Sequence, residues 1–182
     1  LRAKESGKLD DGTVMPFHQM PVLVVDGTSI AQTGGIARFC GKLAGLYPTD
    51  DHLKAAQIYQ IIYFATDLNT MVSSTNQTKD EEQKLAARLE LADGPLKRKL
   101  GMLERLIPEG SDWIVPPSIS IADIAIWRVL GWFTSGLLDG MPKDLLTDFP
   151  KIKRVCLAVD QHPKVQEWIG RTYPENYVRG TY

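Results

Sequence analysis

Hydrophobic and polar positions follow two different regimes along this chain, and the change falls near residue 50. Ahead of it, Val22-Leu23-Val24-Val25 is a short, wholly apolar and mostly β-branched run bounded by Pro21 and by Asp26-Gly27. Such a run predicts a buried strand ending in a tight hairpin turn, because Asp-Gly tolerates the positive φ angles of a two-residue loop. Thr28-Ser29-Ile30-Ala31 is then the return strand. From Thr33 the period becomes helical, with Ile36, Phe39, Cys40 and Leu43 on one face and a stop at Gly45.

Leu46-Tyr47-Pro48-Thr49-Asp50-Asp51 is polar and rich in turn formers, which suits a linker, and beyond it strand signals vanish. This divides the chain into residues 1–47 and residues 52–182. A long helix is predicted from about His52 through Met71, with Ala55, Ile58, Ile62, Ala65 and Leu68 near helical spacing. Ser73-Ser74-Thr75-Asn76 ends it. Lys79-Asp80-Glu81-Glu82 opens another helix with acidic residues in its first turn, where they complement the dipole.

Ile121 through Leu130 is apolar almost all round, the mark of a helix at the centre of a bundle. Ser120 and Asp123 stand three apart at its start and predict a capping box with Asp in the usual Glu or Gln position. Two more helices follow Pro150 (Ile152, Val155, Val159) and Pro163 (Val165, Trp168, Ile169), and the tail from Tyr173 to Tyr177 reads as irregular.

Composition narrows the classes. With 182 residues, 43% hydrophobic, 24% charged and a net charge of -1, the pattern is that of a globular chain with one sizeable core or two small domains. No basic, aromatic-interleaved face points to nucleic acid, and no apolar run approaches the roughly 18–20 residues of a membrane span. Cys40 and Cys156 lie far apart and outside any Cys-x-x-Cys pair, so both are expected as buried thiols rather than a disulfide. His18, His52 and His162 are equally scattered, and no ligand spacing predicts a metal.

Two places carry candidate chemistry. Met20-Pro21 is an X-Pro step ahead of a strand: as a cis peptide it exposes the N–H and C=O of Met20 to an extended peptide ligand, and as a trans proline it simply starts the strand. Gln32-Thr33 opens a helix, where free N–H groups and a hydroxyl suit a carboxylate. Read alone, Thr33 is only an N-cap.

Order and spacing favour the functional readings. The run Pro16-Phe17-His18-Gln19-Met20-Pro21-Val22-Leu23, then Asp26-Gly27, Gln32-Thr33 and Ile36-Ala37-Arg38-Phe39, resembles the glutathione-binding half of cytosolic glutathione S-transferases, in a form most similar to the sigma class. Ser120-Ile121-Ala122-Asp123-Ile124-Ala125 resembles the family's capped central helix. Phe149-Pro150 and Val159-Asp160-Gln161-His162-Pro163-Lys164-Val165 are similar to its closing helices. The resemblance covers nearly the whole chain.

It implies an α/β plus all-α fold, a truncated thioredoxin-like domain followed by an all-helical domain. It also implies a cytoplasmic homodimer that conjugates reduced glutathione, as co-substrate and without a metal, to hydrophobic electrophiles by thiolate attack. Carried over by position, Met20 across a cis-Pro21 pairs with the cysteinyl part of glutathione, Gln32 and Thr33 take the γ-glutamyl end, and Gln19 lies near the glycyl end. Asp67 matches an acidic residue that reaches a partner subunit's γ-glutamyl amine; without the resemblance it is an exposed helix carboxylate. Tyr63, Phe64 and Trp132 are candidates for lining the electrophile cleft, or simply core aromatics.

Thr33 stands where relatives usually have Ser, His18 where Gly is common, and Lys8 and Gly12 where sigma-like relatives hold the glycyl carboxylate with Trp and Lys. Lys8 can supply the missing charge from another position. The resemblance further implies that the sulfur-activating Tyr, Ser or Cys belongs to a first strand ahead of Leu1, since Leu1-Arg2-Ala3-Lys4 through Lys8 reads as the middle of a domain. That leaves no catalytic residue in the chain itself. A thiol of pKa about 8.5 is only a few per cent ionised at pH 7, and lowering it by two units takes about 2.7 kcal/mol of thiolate stabilisation. The chain alone is therefore expected not to conjugate. A glutathione-dependent isomerase and a non-catalytic structural role are the rival functions.

Overall fold

The computed structural model describes residues 5–78 and 80–182, so Leu1-Arg2-Ala3-Lys4 and Lys79 of the expectations above lie outside the described residues. The chain divides into two compact units, with the boundary in the sequence between Ala55 and Ala56.

In the first unit, β1 (Val22–Val25) and β2 (Thr28–Ala31) form an antiparallel hairpin pairing Val22 with Ala31 and Val25 with Thr28. Asp26 and Gly27 have φ of 48° and 76°, the double left-handed geometry of the tightest hairpin loop. Helix α1 (Thr33–Leu43) follows at once. It ends with Leu46 N–H donating to Gly41 O at 2.8 Å and Gly45 N–H to Lys42 O at 3.4 Å, a Schellman closure that satisfies its last carbonyls. Arg38 then lies 5.5 Å from the ring centre of the buried Tyr47.

Two expectations need correction here. Strand β1 is only half-buried, with Val24 at 46% exposure, because the sheet has two strands among the described residues and little covers its faces. Of the apolar face of α1, Ile36 and Phe39 are half-buried, whereas Leu43 and Cys40 are exposed.

The second unit is helical. Helix α2 (His52–Ser74) runs three residues past its predicted end and buries Ile58, Ile61, Ile62, Ala65, Leu68 and Val72 before a 3₁₀ turn at Thr75–Gln77. Helix α3 (Glu81–Leu91) is capped by Asp80, whose carboxylate accepts from Gln83 N–H at 2.9 Å. A π-helical turn, Ala92–Leu96, accommodates Pro95 and leads directly into α4 (Lys97–Leu106).

Helix α5 (Ile121–Phe133) is the centre, with nine buried residues, and α6 (Pro150–Asp160) packs along it. Helix α7 (Pro163–Thr172) has no buried residue, and Trp168, one of its apolar positions, is 47% exposed with its ring edge-on to Tyr173 at 5.1 Å.

The irregular tail returns over α5. Tyr182 donates to Trp127 O at 3.1 Å, and Thr181 N–H to the Thr134 hydroxyl at 3.1 Å. Arg179 and the Trp127 indole both reach Asp160 Oδ1, at 2.9 and 3.1 Å. The approach is close enough that a Cβ on Gly180 would sit 2.5 Å from Gly131 Cα, so glycine is required on the tail side.

Candidate functional site

The hairpin register assembles the first group of candidates. Val22 pairs with Ala31 as the last pair of the ladder, so Pro21 and Gln32, which flank that pair, lie at the same end of the hairpin. Gln19-Met20-Pro21 and Gln32-Thr33, eleven or more positions apart in sequence, therefore meet at one end of the hairpin. The Met20–Pro21 peptide is cis. Met20 is 65% exposed, and its backbone N–H and C=O make no hydrogen bond among the described residues. Such a peptide edge can pair with an extended ligand as a further strand would.

Gln32 rather than Thr33 is the N-cap, a correction with a clear cause: the Gln32 carbonyl accepts the first helical bond, from Ile36 N–H at 3.0 Å, which makes Thr33 the first helical residue. Gln32 holds φ 68°, a left-handed conformation uncommon outside glycine that typically costs on the order of 1–3 kcal/mol. The Gln32 side chain makes no capping hydrogen bond. The N–H groups of Thr33, Gly34 and Gly35 have no hydrogen-bond partner among the described residues and stand at the positive end of the helix dipole, flanked by the exposed Gln32 amide and Thr33 hydroxyl. This arrangement suits a carboxylate. The part played by Gly34 and Gly35 was readable only as two glycines at a helix start, where the absence of side chains leaves the N–H groups approachable.

The remaining candidates are dispersed. Gln19 is exposed in the turn before Met20, and Lys8 is exposed in an isolated bridge with Val14, with Gly12 in the loop between them. Asp67 belongs to the second unit, on α2, and its exposed carboxylate lies 3.7 Å from Lys99 Nζ. Tyr63 is 58% exposed with its ring 4.7 Å from Tyr59, and Phe64 is half-buried with the Lys99 ammonium 5.6 Å from its ring centre. Trp132 instead lines a small cleft of about 20 Å³ between α5 and the tail, in which neither Tyr63 nor Phe64 takes part. The three aromatics do not form one pocket.

Among the described residues no group of three or more His, Cys, Asp or Glu is placed to hold a metal ion, and no helix is long and apolar enough to cross a membrane. The two thiols differ sharply. Cys40 is exposed on α1, against expectation, while Cys156 is buried on α6, where burial first and the charges of Asp123 and Asp160 second push its pKa far up. A disulfide reagent such as 5,5′-dithiobis(2-nitrobenzoate) is expected to titrate Cys40 alone in native protein, and both thiols after denaturation. Two fast-reacting thiols in the native state would contradict this placement.

Residues 66–171, more than half of the chain, match the family model described as glutathione S-transferase, C-terminal domain. The chain belongs to the glutathione S-transferase family. Glutathione S-transferase 2 of Manduca sexta is 27% identical over 154 residues, covering 85% of this chain and 74% of its own. Glutathione S-transferase 1 of Ascaris suum is 28% identical over 160 residues, covering 85% of this chain and 74% of its own. The solved structure of prostaglandin synthase D of Nilaparvata lugens superposes with a TM-score of 0.78 at 23% identity, covering 95% of this chain and 80% of that one. The hairpin followed by α1 and the helical second unit are accordingly the thioredoxin-like and all-helical parts of the glutathione S-transferase fold.

Proposed function

We propose that this glutathione S-transferase chain holds reduced glutathione at the open end of its hairpin, in a protein that conjugates the tripeptide to hydrophobic electrophiles in the cytoplasm. The observation that carries the reading is the uncapped start of α1 beside the unpaired Met20 backbone. A tripeptide with a carboxylate at each end and an extended middle needs both kinds of partner. Gln32, Thr33 and the N–H groups behind them take the γ-glutamyl carboxylate, Met20 across Pro21 pairs with the cysteinyl backbone, and Gln19 lies toward the glycyl end. Thiolate attack is the chemistry, with glutathione consumed as co-substrate.

Gln32→Ala is expected to weaken retention on immobilised glutathione by roughly tenfold or more, since hydrogen bonds to charged groups contribute about 1.5–3 kcal/mol. Asp67→Ala weakens it as well if Asp67 reaches a partner subunit's ligand. Unchanged retention in both variants would overturn the placement. Conjugation is separated from isomerisation by the fate of glutathione: net consumption supports the first, turnover without consumption the second.

Homodimerisation belongs to the same proposal. Its support is the set of large apolar side chains left exposed on α3 and α4, Leu85, Leu89, Met102 and Leu106. Equilibrium sedimentation is expected to give twice the chain mass of 20.3 kDa, and a mass of one chain across the micromolar range would refute it.

A further inference from the structure

Away from the hairpin, α6 and the loop before α5 border an open groove of about 660 Å³. Its floor is the half-buried Leu157 and Ala158, its wall is Trp113, and Lys153 and Arg154 stand exposed along one side, with His162 at the far end. These positions follow from helix geometry, because residues 150, 153, 154, 157, 158 and 161 recur at spacings of three and four and share one face of α6.

The charge is unbalanced where it matters. Lys151, the nearest further cation, is committed to Glu109 at 3.0 Å and to Ile107 O at 3.2 Å. Lys153 and Arg154 enter no salt bridge among the described residues. Glu109 also feels Arg154 at a distance, and Asp112 is the acidic member of the lining, beside Trp113. At the other end, His162 Nδ1 is buried without a hydrogen-bond partner among the described residues, an uncommon condition for a buried polar atom. A turn of the imidazole toward a ligand carbonyl would satisfy it.

We propose that this groove binds an extended acidic peptide segment, with one apolar side chain seated against Trp113 and Leu157 and flanking carboxylates on Lys153 and Arg154. The length agrees. The 11 residues of α6 span about 16 Å, which an extended chain covers in about five residues. An apolar floor bordered by two cations that enter no salt bridge among the described residues asks for that alternation, because the carboxylates supply complementary charge and the central side chain supplies burial. The inference is independent of the glutathione reading, which concerns the first unit.

The test is fluorescence anisotropy with a fluorescein-labelled Glu-Glu-Phe-Glu-Glu peptide, compared with its Gln-Gln-Phe-Gln-Gln counterpart and with penta-glutamate. Saturable binding of the first, weakened by salt and stronger than either control, is the expected result. The double variant Lys153→Glu/Arg154→Glu changes only exposed side chains and is expected to weaken binding about tenfold or more with an unchanged melting temperature. Trp113→Ala should weaken the Phe-containing peptide more than penta-glutamate. Equal affinity of the double variant, equal affinity for the Gln peptide, or a preference for phosphatidylserine vesicles over every peptide would overturn the proposal.

Discussion

Replacing Asp123 by alanine is expected to destabilise the second unit by about 3–5 kcal/mol, within the combined cost of leaving two buried backbone donors without an acceptor. The side chain is fully buried at the first turn of α5. Its carboxylate accepts from Ile114 N–H at 2.8 Å, Ser120 N–H at 2.7 Å and the Ser120 hydroxyl at 2.9 Å. Alanine strands two backbone donors away from water, at about 1–3 kcal/mol each, and frees the loop that Ile114 anchors. At about 2–4 °C per kcal/mol for a chain of this size, a thermal melt should fall by roughly 6–20 °C. A melt coincident with that of the native sequence would remove Asp123 from the structural role assigned to it.

The same carboxyl gives a pH signature. Burial outweighs its hydrogen bonds and raises its pKa above the usual 3.8. The unfolded chain therefore releases this proton first, so the carboxyl's contribution to stability is fullest below 3.8 and declines as pH rises through the raised folded value. The stability gap between the native sequence and Asp123→Asn, which does not titrate, should narrow across that window.

Arg88→Met is the second large effect, expected at about 3 kcal/mol. Arg88 is 7% exposed on α3, and among the described residues it faces no carboxylate. Neutral acceptors hold it instead: Nε donates to the Thr75 hydroxyl at 3.2 Å, one terminal nitrogen to Asp139 O at 2.9 Å, and the other to Asn76 Oδ1 at 2.7 Å. One guanidinium thus ties α3 to the turn after α2 and to the loop beyond α5. Methionine keeps the apolar stem and abandons all three acceptors. Lysine should rescue little, because a single ammonium cannot reproduce the planar fork. Retention of the native melting temperature by Arg88→Met would show that the acceptors find other donors.

Features set by local chemistry were legible in the sequence. The Asp26-Gly27 turn, the capping box at Ser120 and the helix starts at Pro150 and Pro163 each depend on a few adjacent residues, and all stand where their residue types demand. Features set by distant partners were not legible. Arg88 reads as an ordinary surface arginine until its acceptors, up to 51 positions away, are brought in. Cys40 sits at a helical period with Ile36 and Phe39, yet nothing in the first unit covers that position. The candidate site shows the same division: local residue types made Met20-Pro21 and Gln32-Thr33 candidates, whereas the left-handed Gln32 that moves the cap by one residue is a property of the strand-to-helix corner.

The contrast between the two thiols has a practical use. Thr33 and Cys40 lie seven residues apart on one helix, about 10 Å along its axis. An environment-sensitive dye coupled through Cys40, with Cys156 sealed in the core, would give a single-site optical test of the proposed binding at the start of α1 without any engineered cysteine.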